Sequence, residues 1–168
     1  MIASRRGDWP ALATLIPVLG GVRRPGEVSV DAILKVAFNA TNPGVASTAR
    51  LAAGTMARSI AVESPARAKP IVERLVAALN AATTVASRRE LLLALGNTGS
   101  PVALTAISRF VLNDDASLRA AALSALRWID GTRAESLLAR ALAADTDSTV
   151  RMAAARALEE RETSRVSR

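Results

Sequence analysis

The chain contains no cysteine, no tyrosine and no histidine among its 168 residues, and each absence excludes a kind of site. Without cysteine there is neither a disulfide framework nor a thiolate nucleophile. Without histidine there is no imidazole base for a catalytic triad, and zinc sites built from thiolates or imidazoles are excluded too. An enzyme of this sequence would depend on carboxylates, lysine, arginine, serine or threonine. We therefore expect a noncatalytic protein with no metal and no cofactor.

Aromatic residues are almost as scarce, since the chain has only four, Trp9, Phe38, Phe110 and Trp128. Half of the chain is nevertheless apolar, and most of that half is alanine and leucine. Strands favour β-branched and aromatic residues, whereas alanine, leucine, arginine and glutamate favour helices. The composition therefore predicts an all-α protein.

Acidic residues are in the minority, with 15 against 22 basic residues and a net charge of +7. The basic excess is concentrated in residues 1–24, 65–90 and 163–168. A basic chain attracts polyanions non-specifically, so nucleic-acid binding through these arginine-rich patches is one alternative. It is not the favoured one, because recognition of single strands relies on aromatic side chains that stack on bases, and the sequence has few of them.

Long hydrophobic runs are missing as well. The longest uncharged run, 91–108, is interrupted by Gly-Asn-Thr-Gly-Ser-Pro, whereas a membrane-spanning helix needs about 20 continuous apolar residues. The N-terminal stretch "SRRGDWPALATLIPVLGG" faintly resembles a twin-arginine export signal. However, Asp8 separates its two parts and no Ala-x-Ala cleavage site follows. We expect a helix over residues 10–20, no membrane span and a cytoplasmic location.

The sequence does contain an internal repeat. The segment "ASLRAAALSALRWIDG" at 116–131 aligns with "STVRMAAARALEER" at 148–161 and with "ASRRELLLALGNTG" at 86–99. A weaker copy is "STARLAAGTMARSI" at 47–60. The alignment places Arg88, Arg119 and Arg151 at equivalent positions, 31 and 32 residues apart, with Arg50 in the weaker copy. Self-similarity at such a period is typical of helical repeat proteins.

Each copy has the residue spacing of an amphipathic helix. In the third copy the apolar stripe consists of Leu118, Ala122, Ala125, Leu126 and Ile129. Further amphipathic segments, 70–82, 101–112 and 133–144, lie between the copies, so the unit is a pair of antiparallel helices. Because one pair cannot bury its apolar face alone, stacking of pairs must complete the core. The prediction is a right-handed α-solenoid of about four helix pairs.

The predicted organisation has three parts. An N-terminal helix and linker occupy 1–25, a repeat domain occupies 26–162, and a polar tail that is expected to fray occupies 163–168. Within the repeat domain the four pairs are assigned to 26–62, 65–97, 101–130 and 132–161.

The glycine-containing segment "LLLALGNTGSPVAL" at 91–104 poses the question of a phosphate-binding loop. A P-loop needs Lys followed by Ser or Thr after its second glycine, and a dinucleotide-binding turn needs a third glycine. Neither is present, so we interpret the segment as a turn between helices. Gly96 is predicted to end one helix, Ser100 to cap the next and Pro101 to begin it.

The repeated arginines, Arg88, Arg119 and Arg151, form a ladder with one member in each of three pairs. Asp115 and Asp147 lie four residues before the last two of them, where a carboxylate can cap the second helix of the pair. We expect the ladder to be structural, with the arginines pairing with the turn aspartates and keeping the repeats in register. The second copy has Thr84 at the aspartate position, which can cap a helix but cannot form an ion pair. A row of arginines that follows phosphate groups is the alternative.

The long segment "LLLALGNTGSPVALTAISRFVLNDDASLRAAALSALRWIDGTRAESLLARALAADTDSTVRMAAARAL" resembles HEAT repeats, in particular the short alanine-rich type of the phycobilisome lyase proteins. The resemblance covers 65–162 well and 26–62 more weakly. A narrower likeness, carried by "ARLAAGTMARSI", "IVERLVAALNAA", "ELLLALGNTGSP" and "STVRMAAARAL", is to the helical domain of vitellogenin-type large lipid transfer proteins. That family's lipid-carrying β-sheets have no counterpart here, so lipid binding by this chain alone is not expected.

The HEAT resemblance implies that the second helices line a concave surface that binds partners. By the alignment, the binding candidates are Arg89, Leu93, Ser124, Arg127, Trp128 and Arg156. An exposed Trp128 beside Arg127 would suit a binding hot spot, but packing of its ring on the next repeat is slightly favoured.

The function that the sequence favours is a noncatalytic scaffold that binds another protein on its concave surface. Nucleic-acid binding by the arginine-rich patches is the first alternative. An accessory role in a lipid-transfer or lyase assembly is the second, and it rests on family likeness alone.

Overall fold

The computed structural model describes residues 25–166. The helix predicted over 10–20 lies outside these residues. The described chain forms eight α-helices and no strand. They are α1 (Glu27–Asn39), α2 (Pro43–Glu63), α3 (Pro65–Ala81), α4 (Val85–Thr98), α5 (Leu104–Ser108), α6 (Ala116–Ala125), α7 (Thr132–Ala144) and α8 (Ser148–Val166). A 3₁₀ turn, Pro101–Ala103, precedes α5, and another, Leu126–Trp128, follows α6.

The helices pack as consecutive pairs. Contacts join α1 to α2, α3 to α4, α5 to α6 and α7 to α8, and the second helices α2, α4, α6 and α8 contact one another in that order. Each second helix therefore lies between its own first helix and the second helices of the neighbouring pairs. The predicted all-α solenoid is confirmed.

The core is built from small and medium-sized apolar side chains. The predicted stripe of α6, from Leu118 to Ile129, is buried at all five positions. Alanines at the helix contacts, such as Ala94, Ala122 and Ala154, have no accessible surface. Because alanine adds little width to a helix, neighbouring helices can pack closely along such positions. The alanine-rich composition is thus explained by close stacking of helices.

Two glycines lie where neighbouring helices come closest. A Cβ added at Gly54 in α2 would lie 2.1 Å from the carbonyl oxygen of Ala94 in α4. A Cβ added at Gly96 in α4 would lie 2.5 Å from the Cα of Ala125 in α6. No atom can occupy these positions without a shift of the backbone, so both glycines set the distance between second helices.

The prediction that Gly96 ends a helix is wrong. Helix α4 continues to Thr98, and Gly99 follows it with a left-handed φ of 60°, a conformation that glycine adopts without strain. The remainder of the turn is as predicted, because the Ser100 hydroxyl accepts a hydrogen bond from the backbone N–H of Val102, and Pro101 begins the 3₁₀ turn. The segment is a turn between helices.

The C-terminal residues differ from the expected frayed tail, since α8 continues to Val166. Arg161 and Arg165 of this helix both bind Glu135 of α7. These contacts attach the last turns of α8 to its partner helix.

Candidate binding groove

The ladder arginines bind backbone oxygens. Arg88, Arg119 and Arg151 each donate a hydrogen bond to the carbonyl oxygen six residues earlier, in the connection between the two helices of the pair. The acceptors are Ala82 at 3.0 Å, Asn113 at 2.9 Å and Asp145 at 2.8 Å. Carbonyl groups at a helix end lack partners within the helix. Each ladder arginine therefore closes the turn of its own pair.

Asp115 and Asp147 cap the second helices, as their positions in the sequence allow. Asp115 accepts hydrogen bonds from the backbone N–H groups of Ser117 and Leu118, at 2.8 and 3.2 Å. Asp147 accepts the equivalent bonds from Thr149 and Val150, at 2.7 and 3.2 Å. The pKa of Asp115 is lowered, chiefly by a hydrogen bond from the Ser117 hydroxyl.

The carboxylate that pairs with a ladder arginine is Asp145, which the sequence analysis did not select. Arg119 binds it through two hydrogen bonds, from Nε at 2.9 Å and from Nη2 at 3.0 Å. The hydrogen bond from Arg119 lowers the pKa of Asp145 and raises that of Arg119. Since Arg119 belongs to α6 and Asp145 follows α7, this pair joins the third helix pair to the fourth.

Replacing Arg119 by lysine is expected to destabilise the protein by about 1 kcal/mol, because an ammonium group cannot reproduce the two-point contact with Asp145. Arg88→Lys is the matched control, since Arg88 has a carbonyl acceptor but no carboxylate among its contacts in residues 25–166. Its expected cost is below about 0.5 kcal/mol. Urea unfolding followed by circular dichroism measures both, and equal losses would contradict the assigned role of Asp145.

Four of the six binding candidates line one groove of about 320 Å³, which we call the second-helix groove. Arg89 and Leu93 come from α4, Ser124 from α6 and Arg156 from α8. The other lining residues are Ser117, Ala120, Ala121, Thr149, Met152 and Ala153. Because α6 lies between α4 and α8, its small side chains form the middle of the groove, and the larger side chains of the flanking helices form its sides.

The second-helix groove combines apolar surface with positive charge. Leu93 and Met152 provide the larger apolar side chains, and Met152 is 51% exposed. None of the lining residues is acidic. Within the described part of the chain, neither Arg89 nor Arg156 forms a salt bridge. Two cationic groups thus flank an uncharged middle.

The remaining two candidates, Arg127 and Trp128, lie outside this groove. Arg127 donates hydrogen bonds to the carbonyl oxygen of Ser124 at 2.9 Å and to the side chain of Asn97 at 2.7 Å, and it pairs with Glu160 at 3.5 Å. Burial lowers the pKa of its guanidinium. These contacts tie the ends of α4, α6 and α8 together, which is a structural role.

The Trp128 side chain is half-buried. The guanidinium carbons of Arg58 and Arg127 each lie 4.1 Å from the centre of its ring, within the range of cation–π attraction. Arg58 belongs to α2, so the ring bridges the first and third helix pairs. Part of the ring borders a second depression, which α8 lines with Glu159, Glu160, Thr163 and Ser164.

Arg161 is a second contact residue, after Asp145, that the sequence analysis missed. Its side chain is only 4% exposed, and Nη1 donates to the carbonyl oxygens of Leu126 at 2.9 Å and Ile129 at 2.5 Å. Nη2 donates to Glu135 at 3.1 Å. The pKa of Glu135 is lowered by hydrogen bonds from Arg161 and then from Arg165. One arginine thus holds the end of α6 against α7 and α8.

Residues 25–166 contain no cluster of three or more potential metal-binding side chains. None of their helices is both long enough and apolar enough to cross a membrane.

Comparison with functionally characterised proteins finds no significant sequence match. Among solved structures, the chain is similar to the complex of CpcE and CpcF of phycocyanin lyase from Nostoc sp. PCC7120. The TM-score is 0.60 at 22% sequence identity, and the match covers 90% of this chain and 99% of the other. At this identity the likeness shows a common fold. The family model for HEAT repeats matches residues 72–159, more than half of the sequence. The chain belongs to the HEAT-repeat family.

Proposed function

We propose that the chain is a noncatalytic protein-binding module that holds a partner protein in the second-helix groove. The observation that carries the proposal is the convergence of Arg89, Leu93, Ser124 and Arg156 on one groove. These residues were chosen from the repeat alignment and the HEAT resemblance. An apolar centre with a polar rim is also the usual anatomy of a protein–protein interface.

The family and its structural neighbour support a protein as the partner. HEAT-type arrays stack helix pairs into an extended surface, and such surfaces are what helical solenoids use for binding. The similar solved structure is a complex of two proteins, CpcE and CpcF. An accessory role in a lyase or lipid-carrying assembly would be a special case of the same proposal, because it too requires a partner protein.

Nucleic-acid binding is less well supported. The ladder arginines, which would have to follow the phosphates, donate their hydrogen bonds to backbone carbonyl oxygens instead. The second-helix groove has no aromatic lining residue on which a base could stack.

The test is affinity capture of the full chain from lysate of its own cells, with nuclease added. Ser124→Trp places a large ring in the middle of the second-helix groove, and Ala143→Trp places the same ring on an exposed position of α7. We expect wild type and Ala143→Trp to retain a stoichiometric protein that Ser124→Trp loses. Circular dichroism establishes that both variants are folded.

Either of two results would refute the proposal. Equal capture by the folded variants would place the interface elsewhere on the solenoid. Recovery of nucleic acid without a stoichiometric protein would instead favour nucleic-acid binding as the function.

A further inference from the structure

The second-helix groove also carries information about the chemistry of what it binds. Its two arginines are on different helices, Arg89 on α4 and Arg156 on α8, with α6 between them. A ligand that lies across α6 therefore meets one positive charge on each side.

The carboxylates near these arginines are committed to other groups. Glu90, the neighbour of Arg89 in sequence, lies 3.6 Å from Arg50. Glu160, one helical turn beyond Arg156, pairs with Arg127 at 3.5 Å. The carboxylate oxygen of Asp115 accepts hydrogen bonds from α6. Asp115 interacts with Arg89 only through space, and no salt bridge among residues 25–166 includes Arg89 or Arg156.

The middle of the second-helix groove is shaped for an apolar side chain. Ala120, Ala121 and Ser124 leave room along α6, and Leu93 and Met152 offer apolar contact from the two sides. Methionine is unbranched and polarizable, so it adapts to side chains of different shape. Polyanions such as nucleic acids present phosphates and flat bases, which this combination does not match.

We propose that the second-helix groove binds an acidic peptide segment of the partner protein, in which Asp or Glu residues flank an apolar anchor of the size of leucine or methionine. The anchor lies over α6, and the flanking carboxylates pair with Arg89 and Arg156. This inference rests on the proposed function, because it assigns the partner's chemistry at the same groove.

The experiment begins with selection from a phage-displayed library of random short peptides on the immobilised wild-type chain. The most enriched peptide is then synthesised with a fluorescent label, and its affinity is measured by anisotropy. We expect enrichment of Asp and Glu on both sides of an apolar residue, and an affinity that falls as salt is raised.

Charge reversal tests whether Arg89 and Arg156 bind the acidic residues of the peptide. The double variant Arg89→Glu/Arg156→Glu is expected to weaken binding of the peptide by at least about tenfold, since each change replaces attraction by repulsion. The matched control is Arg133→Glu/Arg140→Glu, two exposed arginines of α7, which changes the net charge equally and is expected to alter affinity less than about twofold.

The outcomes separate the two proposals. Enriched peptides that lack acidic bias but are blocked by Ser124→Trp would overturn the acidic assignment and leave the protein-binding proposal standing. The acidic assignment would also be overturned if acidic peptides bound the double variant and wild type equally, or if the selection enriched no peptide. A labelled single-stranded oligonucleotide that binds more tightly than the peptide and is lost in the double variant would assign the groove to nucleic acid.

Discussion

Replacing Gly54 or Gly96 by alanine is expected to destabilise the protein by about 3 kcal/mol, at the upper end of what overpacking of a core costs. The added methyl group would lie 2.1 Å from a carbonyl oxygen at Gly54 and 2.5 Å from a Cα at Gly96. Both neighbours are backbone atoms of an adjacent helix, so relief requires the helices to move apart. Such a movement separates the alanine-rich faces on either side.

Urea unfolding followed by circular dichroism measures this effect, with Gly26→Ala as the control. Nothing lies within 4 Å of a Cβ added at Gly26, whose φ is −72°, so no steric cost is expected there. Gly26 is the N-cap of α1, and the poorer cap that alanine provides costs at most about 1 kcal/mol. Alanine gains about 1 kcal/mol over glycine in helix propensity. If the variants at Gly54 and Gly96 were stabilised by that amount, the helices would not be as close as described.

Replacing Arg161 by methionine is expected to lower the free energy of unfolding by about 3 kcal/mol. Methionine keeps much of the apolar stem but removes the donors for the carbonyl oxygens of Leu126 and Ile129. Buried acceptors without a donor are costly, and Glu135 loses its less exposed partner at the same time.

Arg165→Met is the matched control, because Arg165 binds the same carboxylate, Glu135, from a side chain that is 61% exposed. Exposed ion pairs contribute at most about 1 kcal/mol, so Arg165→Met is expected to destabilise the protein several-fold less than Arg161→Met. The same unfolding measurement compares the two. Equal effects would mean that Arg161 acts only through Glu135 and not through the end of α6.

The repeat pattern predicted the fold well because it reports burial directly. The stripe of the third pair recurs in α8, where Val150, Ala154 and Ala157 are buried and Leu158 is partly buried. The last equivalent position, Ile129 in the third pair, is Arg161 in the fourth. An arginine at an otherwise apolar position of the repeat is visible in the sequence. Its role is not, because the carbonyl groups that it binds are 32 and 35 residues away.

Other features depended on tertiary contacts that no local pattern contains. Gly96 and Gly99 are both acceptable helix ends by sequence. In the structure Gly99 ends the helix with a left-handed φ of 60°, and Gly96 instead lies against Ala125 of α6. Two aspartates precede α8, Asp145 and Asp147, with Thr146 between them, and the sequence alone does not say which of them Arg119 reaches. The geometry of the turn between α7 and α8 presents the first to Arg119 and uses the second as a cap.

The four binding candidates that lie in α-helices line the second-helix groove, and the two that lie in a 3₁₀ turn do not. Leu93 and Ser124 belong to α4 and α6, so extrapolation with 3.6 residues per turn puts both on the side that lines the groove. Arg127 and Trp128 belong to the 3₁₀ turn Leu126–Trp128. A 3₁₀ turn has three residues per turn, which rotates both side chains away from the position that an α-helix would give them.

The most direct measurement of the central claim is site-specific photo-crosslinking in the protein's own cells. A photoreactive phenylalanine derivative replaces Met152, a large exposed side chain on the side of the second-helix groove, or Ala143 on α7, and crosslinked products are identified by mass spectrometry. The account predicts one dominant protein crosslinked from position 152 and absent from position 143. The same protein crosslinked equally from both positions, or only from position 143, would contradict it.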